Sequence, residues 1–276
     1  MIDQLRQRAR ELLTTGEAAC IIGYADASVA GKAAPIVVTR AEDAGRLVFH
    51  AGCFNNLAVY LTRPEIRKLG TVAMVAKPAD VRAAFVLMQE NQVRPDDVKF
   101  IAVDVTPAGE CTLLAQRTRE ELLDYLVKNV PPAELADDAL KDVAALEEQT
   151  DGERWAYWQQ QFSRCIRCYA CRQVCPLCYC SRCVADKNRP QWIETSAHGR
   201  GNLAWNITRA FHLAGRCVGC GECERACPAG IPLMKLNRKL AKHVRDSFGA
   251  HAAGYAFSGE QLFAGYSPSD PNDFFE

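Results

Sequence analysis

Two stretches decide how this chain is read. The first is Cys165-Ile-Arg-Cys168-Tyr-Ala-Cys171-Arg-Gln-Val-Cys175-Pro176, and the second is Cys217-Val-Gly-Cys220-Gly-Glu-Cys223-Glu-Arg-Ala-Cys227-Pro228. Both follow C-x2-C-x2-C-x3-C-P. Three cysteines at this interval lie on a tight loop and present three thiolates to one iron–sulfur cube. The fourth starts a helix, points away, and serves the other cube. The spacing therefore assigns Cys165, Cys168, Cys171 and Cys227 to one [4Fe–4S] cluster, and Cys217, Cys220, Cys223 and Cys175 to another. Pro176 and Pro228 fix φ and lack an N–H, so the chain turns away from the sulfurs. Zinc is the competing reading, but zinc favours paired CxxC ligands in tetrahedral array, and a four-cysteine register that occurs twice fits iron–sulfur better.

The rest of the cysteine usage agrees. Eleven of the fourteen cysteines fall between 165 and 227. Such crowding reads as metal binding rather than a disulfide framework. Cys178, Cys180 and Cys183 follow the first motif closely. They are candidates for a third metal centre completed by a distant Cys53 or Cys111, with iron–sulfur ahead of zinc; inert thiols beside the clusters are the alternative. Cys20 sits in an apolar run and reads as a small core residue. His198 and His212 read as ordinary surface or core histidines. Trp155, Trp158, Trp192 and Trp205 read as packing around the clusters. Between Glu153 and Arg189 there are seven Lys or Arg and two acids. A thiolate-ligated cluster is anionic and its burial needs compensation, for which Arg164, Arg167, Arg172 and Arg182 are candidates; a basic docking face is the other use of the same charge.

Outward from the motifs, the pattern changes. Over 1–117, short apolar runs alternate with helical periodicity, which argues for an α/β domain. Helices are expected at Ile2 to Thr14, Asn55 to Thr62 and Ala79 to Glu90. Strands are expected at Ala18 to Tyr24, Ile36 to Thr39, Leu47 to His50, Thr71 to Ala76 and Phe100 to Val105. Residues 118–153 read as a helical connector; Glu134 to Glu153 holds eight acids and one lysine, a solvated face. A two-cluster ferredoxin-like domain with a long insertion follows over 154–240. A basic helix, Leu233 to Phe248, follows; 241–276 holds its end and the tail, which from Ala253 is expected to be extended or docked on a partner. The fold class is thus α+β or α/β, with a ferredoxin module behind the first domain.

Composition excludes several classes. Lys plus Arg equals 33 and Asp plus Glu equals 33, which argues against nucleic acid or an anionic membrane as main partner. No stretch approaches a membrane span, and the first residues carry no apolar signal core, so a cytoplasmic protein is expected. No phosphate loop, nucleophile elbow, zinc-protease motif or acid/base constellation is present.

At Arg164-Cys-Ile-Arg-Cys-Tyr-Ala-Cys-Arg-Gln-Val-Cys-Pro-Leu-Cys-Tyr-Cys180 and Ala214-Gly-Arg-Cys-Val-Gly-Cys-Gly-Glu-Cys-Glu-Arg-Ala-Cys-Pro-Ala-Gly-Ile-Pro232 the chain resembles the coenzyme F420 hydrogenase/dehydrogenase β-subunit family. The branch it resembles contains bacterial proteins similar to formate dehydrogenase β subunits, often associated with heterodisulfide-reductase-like complexes. Cys53-Phe-Asn-Asn-Leu-Ala-Val-Tyr60 and Val75-Ala-Lys-Pro-Ala-Asp-Val-Arg82 look like family segments as well. The resemblance implies an electron-transfer subunit, itself non-catalytic, working among partner redox subunits of an anaerobic complex. Relatives carry a cysteine where Ala79 stands, after a glycine where Pro78 stands, and often another near Thr106. Their absence counts against a further cluster or FAD in the first domain, as does the lack of a dinucleotide fingerprint. A flavin-containing subunit reducing F420 or a nicotinamide, and a structural or metal-trafficking scaffold, are the competing functions.

The two loops differ: Gly219 and Gly221 stand where the first loop has Arg167 and Tyr169. Amide-to-sulfur hydrogen bonds tune cluster potential. The two clusters are therefore expected to titrate at different potentials, and a single shared midpoint in a redox titration contradicts this.

Overall fold

The computed structural model describes residues 1–105, 111–114, 117–187, 189–249 and 251–263. The order of elements is α1 (Ile2–Thr14), β1 (Cys20–Asp26), β2 (Ala33–Val38), α2 (Pro64–Arg67), β3 (Val72–Ala76), α3 (Pro78–Gln89), β4 (Val98–Val105), β5 (Cys111–Leu113), α4 (Arg119–Asn129), α5 (Asp137–Glu147), α6 (Asp151–Ser163), α7 (Ala170–Gln173), α8 (Gly199–Phe211), α9 (Glu222–Arg225) and α10 (Leu233–Phe248). The fold is α+β, with a mixed five-stranded sheet ordered β2-β1-β3-β4-β5. The centre is parallel, with Ile22 beside Met74 and Met74 beside Phe100. Both edges are antiparallel. Parallel strands are covered on both faces and read as continuous apolar runs; every residue of β3 is buried. Asp80 to Met88 of α3 is buried all round, as expected of a helix with neighbours on every side.

Several sequence expectations are corrected. Leu47 to His50 is not a strand. β3 pairs with β1 only as far as Ile22–Met74, and Val48 makes a single bridge to Tyr24 beyond that point. Asn55 to Thr62 holds only a 3₁₀ turn at Leu57–Tyr60, because the Asn56 side chain caps Ala58 N–H at 3.1 Å and Pro64 starts a new helix. The described part of the tail, 251–263, packs on this chain: Ala253 O accepts from Arg82 at 2.8 Å, and Tyr255 lies under the same guanidinium at 4.6 Å. Thr106 and residues 264–276 lie outside the described residues.

The connector is the largest surprise. Glu134, counted above among solvated acids, is 1% exposed and pairs with Arg82, itself 2% exposed. The contacts are bidentate, at 3.1 and 2.5 Å. Arg82 also donates to Val218 O at 3.2 Å, inside the second cysteine loop. Two glycines make the approach possible. A Cβ on Gly219 would lie 2.7 Å from Glu134 Oε2, and one on Gly254 would lie 2.4 Å from Arg82 O. The regions 1–117 and 154–240 are accordingly not separated by a gap in packing; Leu177, Leu213 and Val218 belong to the same apolar core as the sheet.

Breaking a buried ion pair leaves one charge stranded. Glu134→Ala is expected to cost about 3–5 kcal/mol, read by chemical denaturation, and Arg82→Met with Glu134→Leu to recover most of it. A loss below about 1 kcal/mol, the range of an exposed pair, contradicts this role.

Candidate metal centres

Each cysteine motif is a loop followed by one short helix turn, α7 in the first and α9 in the second. Equivalent positions carry equivalent backbone. Arg167 and Tyr169 have φ of 58° and 59°, and Gly219 and Gly221 have 69° and 74°. Left-handed backbone turns successive amides to one side. In the second loop, the Gly219 and Glu222 amides face the Cys217 and Cys220 sulfurs and favour their thiolates. The glycines adopt this shape freely, whereas a non-glycine residue pays about 1–2 kcal/mol. The first loop offsets that cost by side-chain contacts. Arg167 donates to Gly201 O and Glu194 O, both at 2.8 Å, and stacks near Tyr169 and Trp205.

The loops converge so that the eight motif cysteines face two cavities. Cys165, Cys168, Cys171 and Cys227 line one. Cys175, Cys217, Cys220 and Cys223 line the other. Each cavity thus takes three cysteines from one motif and the last from the other. The α8 face made by Asn202, Trp205, Asn206 and Arg209 packs between them. Asn202 donates to Cys165 O at 2.7 Å. Arg209, 4% exposed, donates to Cys171 O at 3.1 Å and to the Cys223 sulfur. Its charge also faces the sulfurs of Cys175 and Cys178. Arg209 falls outside the basic 153–189 stretch, eight residues before Cys217; its signal in the sequence is the i, i+3, i+7 face on α8 with Asn202 and Trp205. Of those named, Arg167 braces the 194–201 loop and Arg164 reaches Gly230 O at 3.3 Å.

The donor set fits iron–sulfur clusters. Burial pushes Cys171 up to about 11 and Cys220 up to about 12, and it raises Cys217 and Cys223. Free thiols there stay protonated, and ligation must expel those protons. Arg209 works in that direction at Cys171 and Cys223. Among the described residues, no three His, Cys, Asp or Glu side chains converge on one ion-sized point. Eight thiols in two groups of four match the ligand count of two polynuclear clusters.

The other cysteines separate. Cys178, Cys180 and Cys183 line a third cavity. Cys53 and Cys111, expected above to complete such a centre, line a different cleft against β3 and α3. Cys20 is fully buried in the sheet core. Trp205 packs against the first cavity, while Trp192 is exposed rather than packed.

That cleft, about 520 Å³, lies at the carboxyl end of β3, and Cys220 forms part of its wall. This is the usual position for a nucleotide in an α/β sheet. The residues do not suit a dinucleotide diphosphate. Lys77 is held by Tyr24 and, at 3.0 Å, by Asp80. Arg82 is held by Glu134. The Asp80 carboxylate itself occupies the start of α3, accepting from Lys77 N–H and Leu57 N–H at 2.8 and 2.9 Å. The local cations are engaged and a carboxylate stands where a phosphate would sit.

Comparison with known proteins bears on the second half of the chain. The profile of the 4Fe-4S dicluster domain matches residues 161–231. Over 93 residues the chain is 38% identical to the β subunit of F420-dependent formate dehydrogenase from Methanocaldococcus jannaschii, a match covering 33% of this chain and 24% of that protein. It is 34% identical over 92 residues to the β subunit of F420-dependent formate dehydrogenase 1 from Methanococcus maripaludis, covering 33% and 23%. It is 28% identical over 86 residues to NADH-quinone oxidoreductase subunit I 2 from Geobacter metallireducens, covering 31% and 56%. The chain spans about a quarter of the length of the two formate dehydrogenase subunits. Among the described residues, no helix is long and apolar enough to cross a membrane. The doubled spacing, the two cavities and the profile agree: residues 161–231 form a ferredoxin-like 4Fe–4S dicluster domain, which carries two [4Fe–4S] clusters.

Proposed function

We propose that this chain is an electron-transfer subunit that carries electrons between partner redox subunits of a multisubunit oxidoreductase in the cytoplasm. The observation that carries the reading is the division of eight cysteines into two neighbouring groups of four. It supports Cys165, Cys168, Cys171 and Cys227 as ligands of one cluster, and Cys217, Cys220, Cys223 and Cys175 as ligands of the other. When bound, each cluster supplies a one-electron carrier. The chain's residues do the rest. Arg209 holds a positive charge between the two groups of sulfurs. The loop amides face the sulfurs. Cys168 is exposed and Ile166, beside it, is 63% exposed, which offers a docking edge at the first cluster. The Arg82–Glu134 pair ties the second loop to the α+β domain, so a partner bound to that domain is held at a set distance from the second cluster. The relatives named above are subunits of formate dehydrogenases and of an NADH-quinone oxidoreductase. Their names support a complex of this general class.

Protein prepared without oxygen is expected to hold at least about eight iron atoms. It should take electrons from dithionite and pass them to a one-electron dye with no other substrate consumed. Cys220→Ala is expected to lose about four iron atoms and to loosen the remaining cluster; undiminished iron breaks the ligand assignment. Arg209→Gln removes a buried cation beside the sulfurs and makes adding an electron less favourable. Its clusters are expected to titrate at lower potential in an EPR-monitored titration, with Arg209→Lys in between. Unchanged midpoints in Arg209→Gln contradict the role given to Arg209.

A further inference from the structure

We propose a third iron–sulfur centre, held by Cys178, Cys180 and Cys183 with the His212 imidazole as fourth ligand. The proposal rests on the two-cluster reading above and adds a site to it. The three thiols come from one short loop after the first motif and line a single cavity with His212, which follows α8. The sequence alone pointed to Cys53 or Cys111 as the missing ligand, but both belong to the cleft at α3. His212 is the nitrogen donor on the cavity wall.

Charge argues for an anionic occupant. Arg172, Arg209 and Arg216 line the same cavity. Arg209 is buried and its Nε has no hydrogen-bond partner. Arg216 is fixed by Glu90 at 2.6 Å and reaches Leu177 O at 3.3 Å, so its position is set before anything binds. Glu90 already neutralises Arg216, so the buried Arg209 is the cation that thiolates on this wall would balance. Ligation releases the thiol protons to solvent, and Cys180 is exposed at the mouth to let them leave.

The cavity has room for a polynuclear centre. The cavity holds about 210 Å³, the share of about seven waters. The site also adjoins the second cluster. Cys178 N–H donates to Cys175 O at 3.2 Å, so ligands of the two centres adjoin through one turn. A third centre here lengthens the wire from Cys175 toward the exposed Cys180. Replacing one thiolate by imidazole reduces the centre's negative charge and raises its potential relative to an all-cysteine cube.

The experiment measures iron, acid-labile sulfide and zinc per chain in the full-length protein purified without oxygen, alongside Cys180→Ser/Cys183→Ser, whose positions are exposed or half-buried and outside both four-cysteine cavities. About twelve iron and twelve sulfide are expected in the native chain, falling to about eight of each in the double variant with the EPR signals of the first two clusters retained. His212→Ala is expected to lose or weaken the third EPR signal alone. About eight iron in both proteins overturns the third centre and leaves the two-cluster reading standing. So does one zinc per chain that disappears in the double variant, because the site is then a zinc site. About four iron or fewer in the native chain sinks the two-cluster reading and this proposal together.

Discussion

The guanidinium of Arg82 is where four parts of the chain meet. It belongs to α3, pairs with Glu134 of the connector, donates to Val218 O in the second cysteine loop and to Ala253 O in the C-terminal segment. A buried cation with an unfilled donor is costly, and so is a buried carboxylate without a cation. Each of the four segments satisfies a group that the others cannot satisfy. The α+β domain and the cysteine-rich region are for this reason one packed body around α3, and the loop bearing Cys217 and Cys220 inherits the rigidity of the sheet.

The same electrostatic demand recurs between the two groups of sulfurs. Burial alone holds Cys171, Cys217, Cys220 and Cys223 in the thiol form. Arg209 supplies the opposing field from α8, reaching Cys171 O on one side and the Cys223 sulfur on the other. The insertion between the motifs is thus not a spacer. It carries α8, whose buried face of Asn202, Trp205, Asn206 and Arg209 fills the space between the two cysteine loops.

The two loops reach one backbone shape by different means. Glycines take left-handed φ at no steric cost in the second, where Gly219 also makes room for Glu134. Arg167 and Tyr169 take it under strain in the first, held by Gly201 O, Glu194 O and the Trp205 ring. The second loop is locked to the α+β domain. The first faces solvent at Ile166 and Cys168. The module is therefore asymmetric: one half is anchored inward and the other is presented outward.

Elements whose information is local are legible without the tertiary structure. The spacing of the cysteines, the helices at Ile2–Thr14, Pro78–Gln89 and Leu233–Phe248, and the buried strand Val72–Ala76 all follow from periodicity and capping within one short window. The expected cross-over of the fourth cysteine also rests on local information, the repeated loop. Runs of four residues were not decided locally: Leu47 to His50 became a single bridge because the neighbouring strand diverged. Charges were the least legible. Glu134 looked like one acid of eight on a wet helix, and Arg209 like any helical arginine. Both are buried because partners 52 residues away in one case and 38 in the other meet them in space. Tertiary packing alone decided which charges left water, and whether Cys53 lay near Cys178, since burial and long-range pairing depend on how whole elements stack and not on any window of sequence.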